Sequence, residues 1–196
     1  MFQMTTLFIN DWDISAESRI LLNRSLLLFI LGGTIISLML SKQSIYFFTK
    51  RPDWQQRIKM PFHTIKLSTF LLIGLFGSST IFVSVLTPEK ISYLKSIVIF
   101  AILFAILNAT LEELIWRGTM LSSLKRNVST CYAVLITSIG FGLLHISIGI
   151  PVIISLLFSF GGFFYAMVVL KSKSIYPSIL FHIIINLGMV FNGWIV

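Results

Sequence analysis

Residues 96–121 read SIVIFAILFAILNATLEELIWRGTML, an apolar run long enough to cross a membrane as a helix. Glu112, Glu113 and Arg117 lie inside this run. A charge at the centre of a membrane helix costs about 2.5–3.5 kcal/mol even on the mildest scale, so such residues are usually paired or functional. The run therefore indicates a membrane fold and a polar site within it.

The composition extends the membrane interpretation to the whole chain. Of the 196 residues, 56% are hydrophobic and 11% are charged, and the mean hydropathy is +0.94. These values leave too little polar surface for a soluble domain. The apolar segments are residues 20–40, 67–86, 96–121, 128–146, 151–170 and 177–196. We expect an all-α fold, a polytopic membrane helix bundle of about six transmembrane helices.

The net charge of +8 does not indicate nucleic-acid binding, because the cations flank apolar runs instead of forming basic patches with interleaved aromatic residues. Membrane lipid is the expected surrounding. Short loops rich in Lys and Arg stay cytoplasmic. The cations between the first two spans are Lys42, Lys50, Arg51, Arg57, Lys59 and Lys66. Alternation from this loop places Lys125 and Lys171 on the same side and the N-terminus on the other.

The two adjacent glutamates are expected to differ in role. In a helix, Glu113 and Arg117 share a face in the order that favours a salt bridge. Glu112 points about 100° away from Glu113 and is free to face another helix. We expect Glu113 to be a structural partner and Glu112 the chemical group. Two alternatives stay open: a buried ion cluster that fixes helix register, or a helix that ends here at the cytoplasmic surface.

Two of the three histidines also lie in apolar segments, His145 at the end of the fourth and His182 early in the sixth. His182 and Asn186 share a helical face, as do Phe141 and His145. A lone histidine on an apolar face is more often a core residue, but two of them with a carboxylate predict a polar pocket. Counting about 1.5 Å per residue from the cytoplasmic ends places His145 deeper than His182. Ideal antiparallel spans would not bring them together.

The sequence contains no obvious protein nucleophile. No serine lies in a GxSxG motif, and Cys131, the only cysteine, is expected to be a small core residue. Water is then the candidate nucleophile, with a glutamate as general base and histidines and an amide to orient it or stabilise an oxyanion. Zinc held by His145, His182 and a carboxylate such as Glu112 is the alternative, and these residues leave the choice open.

At these residues the chain resembles the CPBP family of type II CAAX prenyl endopeptidases, bacteriocin-processing enzymes and Abi-type immunity proteins. The EExxxR, FxxxH and HxxxN motifs of the family correspond to residues 112–117, 141–145 and 182–186, in that order. The resemblance implies an intramembrane peptidase in which Glu112 activates water. It further implies catalytic roles for His145, His182 and Asn186 and supporting roles for Glu113, Arg117 and Phe141.

The resemblance covers roughly residues 101–196. We expect a single membrane domain over residues 1–196, with a variable N-terminal part, residues 1–66, that carries the first span and the basic loop. A family-like helical core would follow over residues 67–196, with the site at 101–196. The resemblance implies a multi-pass protein of a bacterial cell membrane that cleaves a peptide or small membrane protein in bacteriocin or pheromone processing or in self-immunity. Zinc is a candidate cofactor, and the sequence does not specify an oligomeric state.

Two other functions stay open at this point. A non-catalytic bacteriocin-immunity or scaffold protein would keep the polar cluster for helix packing or for binding a toxin receptor. A small transporter would use Glu112, His145 and His182 as a proton relay. The sequence shows neither the inverted repeat nor the matched broken helices that such transporters usually have.

Overall fold

The structure is a computed structural model that describes residue 9 and residues 11–43, 46, 48–59, 62–85 and 90–195. The α-helices are α1 (Ala16–Ser25), α2 (Leu27–Leu40), α3 (Leu67–Ser79), α4 (Ile91–Glu113), α5 (Ser122–Asn127), α6 (Thr130–Leu144), α7 (Val152–Ser172) and α8 (Tyr176–Phe191). Two 3₁₀ turns, Thr80–Phe82 and His145–Ile148, follow α3 and α6, and a π-helix, Leu114–Leu121, joins α4 to α5. The expected all-α class is confirmed.

Within the described residues, four helical stretches are long and apolar enough to span a membrane. They are Ala16–Leu40, Ser92–Asn127, Thr130–Ile148 and Val152–Ser172. The two other expected spans appear as shorter apolar helices, Leu67–Phe82 and Tyr176–Phe191. The chain is an integral membrane protein, and the count of six spans stays a prediction. The predicted ends of the second and sixth spans, Leu86 and Val196, lie outside the described residues.

The basic loop carries a small antiparallel hairpin, β1 (Arg57–Lys59) and β2 (Thr64–Lys66). Lys171 donates a hydrogen bond from Nζ to the carbonyl of Lys59 at 2.9 Å, and the Lys125 ammonium lies 5.9 Å from the Phe48 ring centroid. The three connections predicted to be cytoplasmic therefore meet at one end of the bundle.

Helices α6 and α7 approach each other closely at glycine. A Cβ atom on Gly162 of α7 would lie 2.9 Å from the backbone oxygen of Ser138 on α6, so a side chain there would force the helices apart. Small residues commonly allow such contacts between membrane helices.

At the start of α6, the Ser129 hydroxyl accepts a hydrogen bond from the amide of Tyr132 at 3.3 Å. Cys131 is exposed, so the expectation that it packs in the core was wrong.

Helix α8 begins after a turn that another part of the chain covers. The turn before it is buried, with Ser174 and Ile175 only 0% and 1% exposed. The backbone amide of Ile175 donates to the carbonyl of Phe48 at 2.9 Å, so the loop after the first span covers this turn. Tyr176, the first residue of α8, is 50% exposed, so the covered part of this end is the turn itself.

Candidate active site

The two glutamates lie at the end of α4, where the helix continues without a break into the π-helix. Ser92–Asn127 forms one helical stretch, and Glu112 and Glu113 are both 0% exposed, with Arg117 at 1%. The alternative in which the helix ends here at the cytoplasmic surface is therefore wrong. Charged groups this deeply buried require specific partners.

Both carboxylate oxygens of Glu113 accept hydrogen bonds. Oε1 accepts from Arg117 Nη1 at 3.0 Å and lies 3.1 Å from His182 Nδ1. Oε2 accepts from the Ser178 hydroxyl. Because a carboxylate oxygen can only accept, His182 Nδ1 carries the hydrogen in this pair, and in the neutral form of the ring Nε2 is then an acceptor. Glu113 thereby links α4 to α8 and orients the His182 ring.

Arg117 ties the same cluster to α7. Its Nη2 donates to the carbonyl of Gly162 at 2.7 Å. Its guanidinium carbon lies 4.7 Å from the Phe141 ring centroid and 5.3 Å from that of Tyr165, distances at which cation–π attraction operates. The Tyr165 ring in turn stacks on His182, with centroids 4.8 Å apart. Arg117 therefore holds three helices in register around the histidine.

Glu112 is less fully bonded than Glu113. Its Oε1 accepts from Arg24 Nη1 at 3.5 Å, the outer limit for a hydrogen bond. Among the described residues its Oε2 has no hydrogen-bond partner, and this atom lies 3.6 Å from His182 Nε2. A buried carboxylate oxygen without a partner is costly unless water or another ligand binds it. The two glutamates therefore differ in their contacts as the helical wheel predicts.

His145 follows α6 in the first residue of a 3₁₀ turn. Its Nδ1 donates to the carbonyl of Phe141 at 3.0 Å, which leaves Nε2 available. Its ring stacks on Phe158 with centroids 4.5 Å apart. The Phe141 ring centroid lies 5.4 Å from that of His145 and 5.7 Å from that of His182, so one aromatic side chain contacts both imidazoles.

A cavity of about 170 Å³ brings the remaining predicted residues together. His145, His182 and Asn186 line it, with Phe141 and Tyr165 beside them. Asn186 is 5% exposed, and its Nδ2 has no hydrogen-bond partner among the described residues. Glu112 does not line the cavity, but its Oε2 lies 3.6 Å from Nε2 of His182, which does. A larger apolar cavity of about 490 Å³, between α3 and α8, contains none of the predicted site residues.

The donor groups as placed do not fit a three-ligand zinc site. No cluster of three His, Cys, Asp or Glu side chains in the described part of the chain has the spacing to hold a metal ion. Glu112 and His182 approach within 3.6 Å, but His145 forms no hydrogen bond or ion pair with either of them. The Arg24 guanidinium also lies against Glu112. The side chains as placed therefore give no metal-dependent step.

The sequence reasoning missed Arg24, which α1 places against Glu112. A signal was available: Arg24 is the only Asp, Glu, Lys or Arg in the predicted first span, residues 20–40. An ionisable residue inside a membrane helix is by default a candidate for function. Its partner depends on how α1 packs against α4, which residue spacing within one helix does not determine.

Comparison with known proteins identifies the family. Residues 94–188 match the family model described as type II CAAX prenyl endopeptidase Rce1-like. This segment belongs to the Rce1-like family. The match contains the three motifs and every site residue predicted from the sequence, and it excludes Arg24 and the first span. The match bears out the resemblance to the CPBP family for this segment, and the chain is an integral membrane protein.

The other two comparisons add no relative. No curated protein matches the chain, and no solved structure matches it.

Proposed function

We propose that the protein is an intramembrane endopeptidase that hydrolyses a peptide bond in a membrane-associated peptide or protein, with water activated by Glu112. The observation that carries the proposal is the Glu112 Oε2 atom, which is buried, lacks a hydrogen-bond partner among the described residues and lies 3.6 Å from His182 Nε2. Membership of a protease family supports the reaction class.

The two acceptor atoms of Glu112 and His182 favour a bound water. Neither atom can donate to the other when the imidazole is neutral, whereas one water about 2.8 Å from each can donate to both. Glu112 takes a proton from this water as the hydroxide oxygen bonds to the substrate carbonyl carbon. The carbonyl π electrons then move to its oxygen, which becomes an oxyanion.

Asn186 and Glu112 act in the following steps. The Asn186 Nδ2 group, which has no partner among the described residues, donates to the oxyanion. When the tetrahedral intermediate collapses, the C–N bond breaks and Glu112 returns its proton to the leaving amine. His145 donates from Nδ1 to the Phe141 carbonyl. It lines the cavity of about 170 Å³ and helps to orient the substrate there. Glu113, Arg117 and Phe141 hold these groups in place.

The proposed substrate is a peptide segment or small membrane protein that reaches the cavity from the lipid. The proposed setting is a bacterial cell membrane, in bacteriocin or pheromone processing or in self-immunity. The CPBP resemblance supports both the substrate class and the setting. The apolar surroundings of the site also support a substrate that arrives from the lipid. Zinc stays an alternative that the same resemblance implies, although the donor groups as placed do not form its site, and a chelator tests it.

The decisive experiment compares purified wild-type protein with Glu112→Gln, which keeps the side-chain shape and removes the base. Both are reconstituted in nanodiscs and incubated with a panel of membrane peptides, with and without a chelator, and products are read by mass spectrometry. We expect Glu112→Gln to cleave at least about 100-fold more slowly. Glu17→Gln, a half-buried glutamate in the first turn of α1, is the matched control and should cleave like wild type.

The outcomes separate the functions left open by the sequence. Equal cleavage by wild type and Glu112→Gln would contradict the proposed mechanism. A scaffold or immunity protein would protect cells equally well with Glu112→Gln, provided that the variant accumulates to the same level. Loss of cleavage with the chelator, restored by zinc, would show that a metal takes part.

A further inference from the structure

We infer that Arg24 is a positioning residue for Glu112 and that the first membrane span thereby completes the active site. The inference rests on the proposed function of Glu112 as general base. It goes beyond the family match, because Arg24 lies outside residues 94–188.

Arg24 and Glu112 form a buried ion pair between two helices. Arg24 is 8% exposed and Glu112 is 0% exposed, and Nη1 lies 3.5 Å from Oε1. Among the described residues, Glu112 is the only side chain to which Arg24 donates a hydrogen bond. The contact joins residues 88 positions apart in sequence, so it depends on tertiary packing of α1 against α4.

The charges of the site indicate why this arginine is required. Arg117 is already paired with Glu113 at 3.0 Å, so its charge is committed to that glutamate. Without Arg24, Glu112 would be a buried carboxylate with no cation in hydrogen-bonding contact among the described residues, and a buried charge without a partner is strongly unfavourable. Arg24 is therefore the cation that compensates the carboxylate charge of Glu112.

The contact also orients the carboxylate. Arg24 binds Oε1 alone, and Oε2 is left facing His182 Nε2 at 3.6 Å. The guanidinium thus selects which oxygen receives the water proton. Arg24 does not line the cavity of about 170 Å³, so it acts through Glu112 and does not touch the substrate.

The kinetic test compares Arg24→Gln, Arg24→Lys and Arg19→Gln in nanodiscs. Partners that orient a reacting group typically contribute about 10–100-fold to activity. We expect Arg24→Gln to lower kcat by about that factor with KM unchanged, because the cavity is untouched. Arg24→Lys keeps the charge and should recover most of the loss. Arg19→Gln, from the same helix, should match wild type, since Arg19 donates to backbone carbonyls of residues 12 and 14 and not to Glu112.

A stability test examines the pair without any substrate. Thermal unfolding is measured for Arg24→Gln, Glu112→Gln and the double variant. Each single variant leaves a buried charge without its partner and should lower Tm by about 5 °C or more. The double variant removes both charges, so its Tm should fall by less than the sum of the two single losses.

Different results overturn different claims. Additive losses of Tm would overturn the pairing. Coupled losses of Tm with a kcat unchanged in Arg24→Gln would overturn the positioning role, as would a loss confined to KM. Absence of cleavage by wild type with coupled losses of Tm would instead overturn the proposed function while leaving the ion pair established.

Discussion

His182 Nδ1 lies 3.1 Å from Glu113 Oε1, and this hydrogen bond decides which nitrogen of the ring faces Glu112. The adjacent glutamates therefore contact the two ring nitrogens of the same histidine, Glu113 at Nδ1 and Glu112 at Nε2. Glu113 fixes the tautomer, and Glu112 meets the free Nε2 across 3.6 Å. A pair of carboxylates one residue apart thus yields two environments, one saturated with hydrogen bonds and one with an oxygen left for water.

Replacing the histidine should abolish cleavage while the fold persists. His182→Gln removes the acceptor that faces Glu112 Oε2, so we expect kcat to fall at least about 100-fold. Peptide cleavage in nanodiscs measures the loss. His63→Gln, an exposed histidine of the basic loop, is the control and should retain wild-type kcat. Wild-type activity in His182→Gln would contradict a water site between Glu112 and His182.

Asn186 should matter in the transition state more than in binding. Asn186→Ala removes the proposed oxyanion donor, and loss of one such donor typically costs about 10²–10³-fold in kcat. KM should change little. Steady-state kinetics separates the two constants, and Asn127→Ala, at an exposed position, serves as the reference. If the loss falls on KM alone, Asn186 is a binding residue and the oxyanion assignment is wrong.

Arg117 should not tolerate lysine. Its guanidinium donates both to Glu113 and to the Gly162 carbonyl, a geometry that one ammonium group does not reproduce. We expect Arg117→Lys to lower the free energy of unfolding by about 1–3 kcal/mol, measured by thermal unfolding in detergent. Arg57→Lys, exposed on β1, should leave Tm unchanged. An equal Tm for both variants would show that the Gly162 contact contributes nothing.

Two neighbouring glycines provide a test of the α6–α7 contact. Gly162→Ala places a Cβ 2.9 Å from the Ser138 backbone oxygen, whereas a Cβ on Gly161 has only Tyr165 nearby, at 3.9 Å. We expect Gly162→Ala to destabilise the protein by about 1–3 kcal/mol and Gly161→Ala to be neutral or stabilising, because alanine favours helix. Thermal unfolding measures both. A destabilised Gly161→Ala beside an unchanged Gly162→Ala would contradict this packing.

Spacing within single helices was sufficient to predict the contacts made along one helix. The Glu113–Arg117 pair and the opposite direction of Glu112 follow from the 3.6-residue period. The meeting of His145 and His182 did not follow, because the residue count assumed ideal antiparallel spans that start at the membrane surface. In the structure the Phe141 ring centroid lies 5.4 Å from that of His145 and 5.7 Å from that of His182.

Contacts between distant segments were beyond the reach of the sequence. The ion pair of Arg24 with Glu112 depends on how α1 packs, although the arginine itself stands out as the only charge in its span. The bond from Ile175 to Phe48 likewise depends on the path of a loop with no apolar periodicity. The motifs thus identified the chemical groups, whereas the positions of these groups relative to one another depend on tertiary packing.

The position of the reacting groups has a consequence for what the site accepts. In an intact α-helix each carbonyl accepts a hydrogen bond from the amide four residues on and is surrounded by side chains over a width of about 10 Å, whereas the proposed water and oxyanion donor lie at a buried cavity between helices. A substrate that arrives as a membrane helix must therefore unwind before its carbonyl meets the water. Selectivity would then depend on how easily a segment frays, so glycine or proline near the scissile bond should mark the sequences that are cut.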